Sequence, residues 1–189
     1  MKYVSLTMHL LRSTAIGTEV IDERDHQVHG VISDIVLDAD RGKLVALLID
    51  SPASQDLLAL QTEDVISWGQ RIHIRDGEVL GSPQEIIRLI PFLEDARTIV
   101  GQVIQTKSGV VLGKCSDIQF DCEHFTLEWI FPRHFLRKGI PLPASDILEV
   151  TEEAIIVKDQ TPKEEKVEPQ VVETSVIPKI EPVITPAPT

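Results

Sequence analysis

Two aspartates recur in one local pattern. Gly30–Ile35 and Gly113–Ile118 both read Gly, three residues, Asp, Ile, which places Asp34 and Asp117 at matching positions. A pair of carboxylates can serve general acid–base chemistry, but only in one cleft that drives their pKa values apart. Carboxylates in two separate units do not meet that condition. Each is read as an acceptor for backbone N–H groups at a turn or strand end. Cys115, Cys122, His124 and His134 fall within one supersecondary unit, and a hairpin would bring Cys122 and His124 together. Neither Cys-x-x-Cys nor His-x₃-His spacing occurs, so no metal site is expected. Asp38, Asp40 and Gly42 start like a calcium loop, but the glycine falls one position early and the distal Glu is missing. That run is read as a hairpin turn. The chain has no Gly-rich phosphate loop, nucleophile elbow or zinc-binding His-Glu helix. The expectation is a protein that is not an enzyme and carries no cofactor.

One segment stands out for binding. Arg133, His134, Phe135, Arg137 and Lys138 form a basic, aromatic-bearing run in a chain of net charge -12. Such a run suits an acidic partner, a phosphate or RNA, through charge and stacking. The plainer alternative is a loop between strands with Phe131 and Phe135 packed inward. The acidic whole disfavours broad binding to nucleic acid or an anionic membrane, although a local basic patch overrides the global sign. Two cysteines, no secretory signal and no apolar run longer than Leu44–Ile49 point to a soluble, cytoplasmic protein with reduced thiols.

The elements that must position these residues are mostly strands. Aromatics make up only 4% of the chain, so the core rests on Val, Ile and Leu. Val28 to Leu37 and Lys43 to Asp50 read as two strands around the turn Asp38–Gly42. Val65 to Trp68 and Arg71 to Ile74 read as a tight hairpin around Gly69-Gln70. Ser82-Pro83-Gln84-Glu85 has the form of a capping box, and Ile86, Ile87, Leu89 and Ile90 supply an apolar face, which predicts a connecting helix over 82–96. A weaker helical signal covers Met8 to Ser13. From residue 159 to 189 there is no aromatic, Leu or Gly, and six prolines are spread among Glu and Lys. Such a segment buries too little apolar surface to offset its ordering entropy, which predicts a disordered, partly polyproline-like tail.

The two halves repeat. Ile16-Gly17 corresponds to Val100-Gly101, Gly30–Ile35 to Gly113–Ile118, Leu60–Asp64–Val65 to Leu142–Asp146–Ile147, and Ile72–Ile74 to Ile155–Val157. The offset stays close to 83 residues throughout. In these motifs and their order the chain resembles the PRC-barrel family. That family is named for the cytoplasmic barrel of the photosynthetic reaction-centre H subunit and is found also in a ribosome-maturation factor. The resemblance implies a mainly β protein with a first PRC-like barrel over 1–81, the connecting helix over 82–96 and a second barrel over 97–158. Gly17, Gly30, Asp34, Asp64, Gly101, Gly113, Asp117 and Asp146 carry the motif. It also implies a binding or scaffolding module that docks a protein partner or assembly. The alternative is an RNA- or ribosome-associated factor that uses residues 133–138. The copies differ at the first turn, Asp22 to Gln27, which lacks the glycine that the second copy has at Gly109, and where Ser51–Ser54 faces Phe131–Phe135.

Overall fold

The computed structural model describes residues 8–53, 56–135 and 137–159. The tail lies outside the described residues except for Asp159. The chain is mainly β. The first half contains β1 (His9–Leu11), the one-turn helix α1 (Arg12–Ala15), β2 (Glu19–Asp22), β3 (Val28–Asp38), β4 (Lys43–Asp50), β5 (Leu58–Gln61), β6 (Val65–Trp68) and β7 (Ile72–Ile74). After the one-turn helix α2 (Ile90–Leu93) come β8 (Val103–Thr106), β9 (Val111–Asp121), β10 (Thr126–His134), β11 (Arg137–Lys138), β12 (Leu142–Pro143), β13 (Ile147–Val150) and β14 (Ala154–Val157). A 3₁₀ turn, Thr62–Asp64, joins β5 to β6, and its counterpart Ala144–Asp146 joins β12 to β13. Asp64 and Asp146 thus mark the same tight turn in each half.

The repeat is carried by hydrogen bonding. β2 in the first half and β8 in the second pair antiparallel with the long strand and parallel with the last: Val20 lies opposite Gly30 and Ile72, and Ile104 opposite Gly113 and Ile155. Gly17 N–H donates to Ile32 O at 2.8 Å, and Gly101 N–H donates to Cys115 O at 2.7 Å. Both glycines have positive φ, 88° and 93°, which lets the entering chain turn back onto the long strand. In the first copy His26, at φ 59°, takes the left-handed position that Gly109 fills in the second. Histidine is among the side chains that tolerate this region best, so the turn forms without a glycine.

Two barrels were expected, and the sheet does not close around either half. The strands form one continuous sheet in the order β13-β14-β8-β9-β10-β4-β3-β2-β7-β6, with β5 on β4 and β12 on β10. No ladder joins β5 to β6 or β12 to β13 among the described residues, so neither half closes by hydrogen bonds. The 3₁₀ turns carry the chain from β5, which pairs with β4, to β6, which pairs with β7, and likewise from β12 on β10 to β13 on β14, so each turn links the two ends of a half's strand order without pairing them. The free edge of β5 is covered instead by Gly81, which exchanges both backbone hydrogen bonds with Ala59.

The halves meet where β4 and β10 pair at Lys43 and Thr126. On either side Leu44 N–H donates to Phe125 O and Leu127 N–H donates to Gly42 O, both at 2.8 Å. These contacts relate the halves by a pseudo-two-fold axis. The cores interpenetrate across it. Phe120 and Cys122, from the second half, are buried among Val20, Leu47, Leu60 and Ile72 of the first. Ile35 and Leu37, from the first half, pack among Ile104, Ile118 and Ile130 of the second. Trp68 meets Phe120 with ring centroids 5.5 Å apart.

The predicted helix over 82–96 is not formed. Residues 83–89 make successive turns, and only Ile90–Leu93 is helical. Ser82 Oγ is bonded to Gln84 Oε1, so it caps no helix. Pro91 has no N–H to give to the Ile87 carbonyl, so at most about two turns could precede it, and nucleating so short a helix is costly. Burial decides the outcome: Leu89, Ile86 and Phe92 seat on Val36, Ala46 and Ala59, the outer face of β3 to β5, while Ile87 is left 80% exposed.

A charged staple crosses the same seam. Arg97 reaches Asp40 in the β3–β4 turn (Nη2 to Oδ2, 3.1 Å) and Asp95 in the linker (Nη2 to Oδ2, 2.7 Å). The guanidinium holds both carboxyls below their ordinary value of 3.8, and they in turn raise Arg97. Depressed carboxylates stabilise the fold above the ordinary value and lose that contribution as pH falls through the depressed ones. Urea melts of wild type and Arg97→Ala should therefore differ most at neutral pH, and the gap should narrow below pH 3.8. A gap independent of pH would remove this ion cluster as its cause.

Candidate docking surface

The recurrent aspartates have one structural job in common. Asp34 Oδ1 accepts the Ile35 N–H at 2.7 Å, and Asp117 Oδ1 accepts the Ile118 N–H at 2.9 Å. Both lie inside long strands rather than at their ends, each beside a register shift in its ladder. What the sequence concealed is their shared partner. Arg12 donates to Asp34 at 2.8 Å, while the adjacent Ser13 donates to Asp117 through its N–H at 3.2 Å and through its hydroxyl. A single short helix thus grips the same residue of both halves. The strand before it, β1, pairs with β9, with His9 opposite Asp121. Neither Arg12 nor Ser13 belongs to a repeated motif, so no pattern in the sequence pointed to them.

The residues weighed for metal binding are dispersed. Cys115 is buried in the second core, where its Sγ donates to Asp117 O, and Cys122 is buried in the first. Burial pushes the two thiols up to about 11 and about 12, so both stay protonated and unreactive near neutral pH. His124 bonds Asp121 at 2.6 Å, which raises the imidazole pKa. Burial alone would raise Asp121, but N–H groups of Glu123 and His124 and the imidazole outweigh it and lower the carboxyl. Asp38 likewise accepts the N–H groups of Asp40 and Arg41, so both long hairpins turn on an aspartate. Among the described residues no three His, Cys, Asp or Glu side chains gather where they could hold a metal ion.

The basic segment is brought together as a protruding hairpin. Arg133 pairs with Lys138 and His134 with Arg137 across β10 and β11, and Phe135 occupies the tip at φ 52°. All five of these residues are exposed. The inward packing considered for Phe135 does not occur: the ring is 86% exposed, because a tip beyond the sheet has no second layer to bury it. Phe131, by contrast, is half-buried on β10. The register adds a residue that the linear segment missed. Lys114 of β9 lies directly opposite Arg133. Arg133, Arg137, Lys138 and Lys114 enter no ion pair among the described residues.

The hairpin depends on Gly113. A Cβ there would lie 2.7 Å from the Arg133 carbonyl oxygen, so only glycine lets β10 run this close to β9 just before the tip. Gly30 has the same role against Asp50, the position equivalent to Arg133. In the first half, however, the chain leaves the sheet at Ser51, whose Oγ donates to His29 O at 2.6 Å.

No helix among the described residues is long and apolar enough to cross a membrane. No curated protein matches the chain. Residues 9–81 match the family model of the PRC-barrel domain, which spans the first half from β1 through the edge cover at Gly81. This segment is a PRC-barrel domain.

Proposed function

We propose that the chain is a non-catalytic docking module built on two PRC-like barrels, the second over 97–158, followed by an extended tail, and that it holds a protein partner or assembly. The observation that carries this reading is the β10–β11 hairpin, an exposed aromatic tip flanked by cations that enter no ion pair among the described residues, in an acidic chain. Both cores are filled with Ile, Leu and Val side chains, joined in the first by Trp68 and Phe120, and this supports binding through the outer surface. The second half repeats the strand order of the matched family segment, and this supports its reading as another copy.

The test is affinity purification from the native cell with three baits: the full chain, the chain without residues 160–189, and Arg137→Glu/Lys138→Glu. The expected result is loss of the captured assembly with the hairpin variant alone. Loss on tail removal, with the hairpin variant unaffected, would move binding to the tail and overturn the assignment. A second reading, RNA association, is favoured by the same cations beside an aromatic ring. It requires binding that falls steeply with salt and is abolished by Arg137→Glu.

A further inference from the structure

The hairpin shares its end of the sheet with other features of one kind. Because β9 and β10 run antiparallel with Lys114 opposite Arg133, the β8–β9 turn lies at the same end as the tip. That turn exposes Val110 and Val111, and Ile140 is exposed just after β11. Lys107 stands in the same turn. Of the described carboxylates nearby, Asp146 is paired with Lys158, while Asp159 accepts hydrogen bonds from Ser108 and keeps its charge. At equivalent positions the first half carries the opposite charge: Glu23 where the second has Lys107, and Asp50 where it has Arg133. The two ends of one pseudo-symmetric body are thus polarised, one acidic and one basic and apolar.

From this end we propose that the hairpin seats on an anionic lipid bilayer, with Phe135 entering the headgroup region and Lys114, Arg133, Arg137 and Lys138 meeting lipid phosphates. The proposal rests on the reading of the hairpin as the docking surface and puts a lipid surface there in place of a protein partner. Three observations select lipid. The surface is a convex tip with no cleft, which a soft interface accommodates. Its apolar members besides Phe135 are aliphatic, which suits acyl chains and offers no stacking platform for bases. Its cations enter no ion pair among the described residues, and each such cation near an anionic leaflet strengthens binding about fivefold.

The experiment sediments the full chain with vesicles of phosphatidylcholine alone or doped with phosphatidylserine. Binding is expected only with phosphatidylserine. It should fall on the order of 25-fold or more in Arg137→Glu/Lys138→Glu, in keeping with two cations removed. Phe135→Ser should weaken the binding that persists at high salt. Circular dichroism of the variants establishes that they fold. Equal binding to both vesicles, undiminished binding of the double variant, or displacement from vesicles by a single-stranded RNA would overturn the proposal. A photoreactive benzophenone analogue placed at position 135 separates the two readings. A lipid adduct supports the lipid occupant and overturns a protein partner at this tip. A protein adduct without vesicle binding overturns the lipid occupant and leaves the docking surface standing. No adduct and no vesicle binding overturns both.

Discussion

Phe120→Ala should destabilise the chain by about 3–5 kcal/mol, the usual cost of emptying a buried phenylalanine site. The ring is wholly buried, yet its surroundings belong to the other half of the sequence. Deleting it opens a cavity beside Trp68 that Leu47, Leu60 and Ile72 cannot collapse to fill without moving the sheet. The consequence reaches beyond magnitude. Trp68 reports on the first half and Trp129 on the second, so single-tryptophan versions of the chain follow each half in urea. Both probes should unfold together in wild type and shift together in Phe120→Ala. If the Trp129 transition stayed in place while the Trp68 transition moved, the halves would be independent and the interpenetrating cores would have no energetic meaning.

The second large effect is at Gly113. Gly113→Ala puts a methyl 2.7 Å from the Arg133 carbonyl oxygen and 2.9 Å from its carbon, at φ 120°. Both neighbours are backbone, so neither can rotate aside. The cost should be about 3 kcal/mol or more, combining a steric clash with a backbone region that L side chains avoid. Gly17→Ala is the control. It also sits at positive φ, but nothing lies within 4 Å of its Cβ position, so only the conformational cost of about 1–2 kcal/mol remains. Urea midpoints for the two variants check the ranking. A Gly113→Ala variant no less stable than Gly17→Ala would show that β9 and β10 separate freely and that the hairpin is not held as described.

The strands were legible because their signals are local. The hairpin turn at Asp38–Gly42, the long strands on either side and the Val65–Ile74 hairpin each follow from a few neighbouring residues. The repeat was legible for the same reason, since each copy carries its own glycines and aspartates. The helix over 82–96 misled because a capping box and an apolar face are also local signals, and here tertiary contact on the outer face of β3 to β5 overrode them. The seam was not legible at all. Nothing in Phe120 or Phe125 says which core each will enter, and nothing in Arg12-Ser13 says that it reaches two aspartates far apart in the sequence. For the candidate site, the segment 133–138 was visible by charge. The exposure of Phe135 and the cross-strand neighbour Lys114 became apparent only from the register.

The paired bonds around Lys43 and Thr126 join two like halves within one polypeptide as a two-fold interface joins two subunits. In a symmetric dimer every surface charge occurs twice, so a basic end on one subunit forces a basic end on the other. Covalent joining lifts that constraint. It also makes the association independent of concentration, since the two halves can never be diluted apart. One half is then free to keep Asp50 where the other has Arg133, and a body with two like halves becomes one with a front and a back.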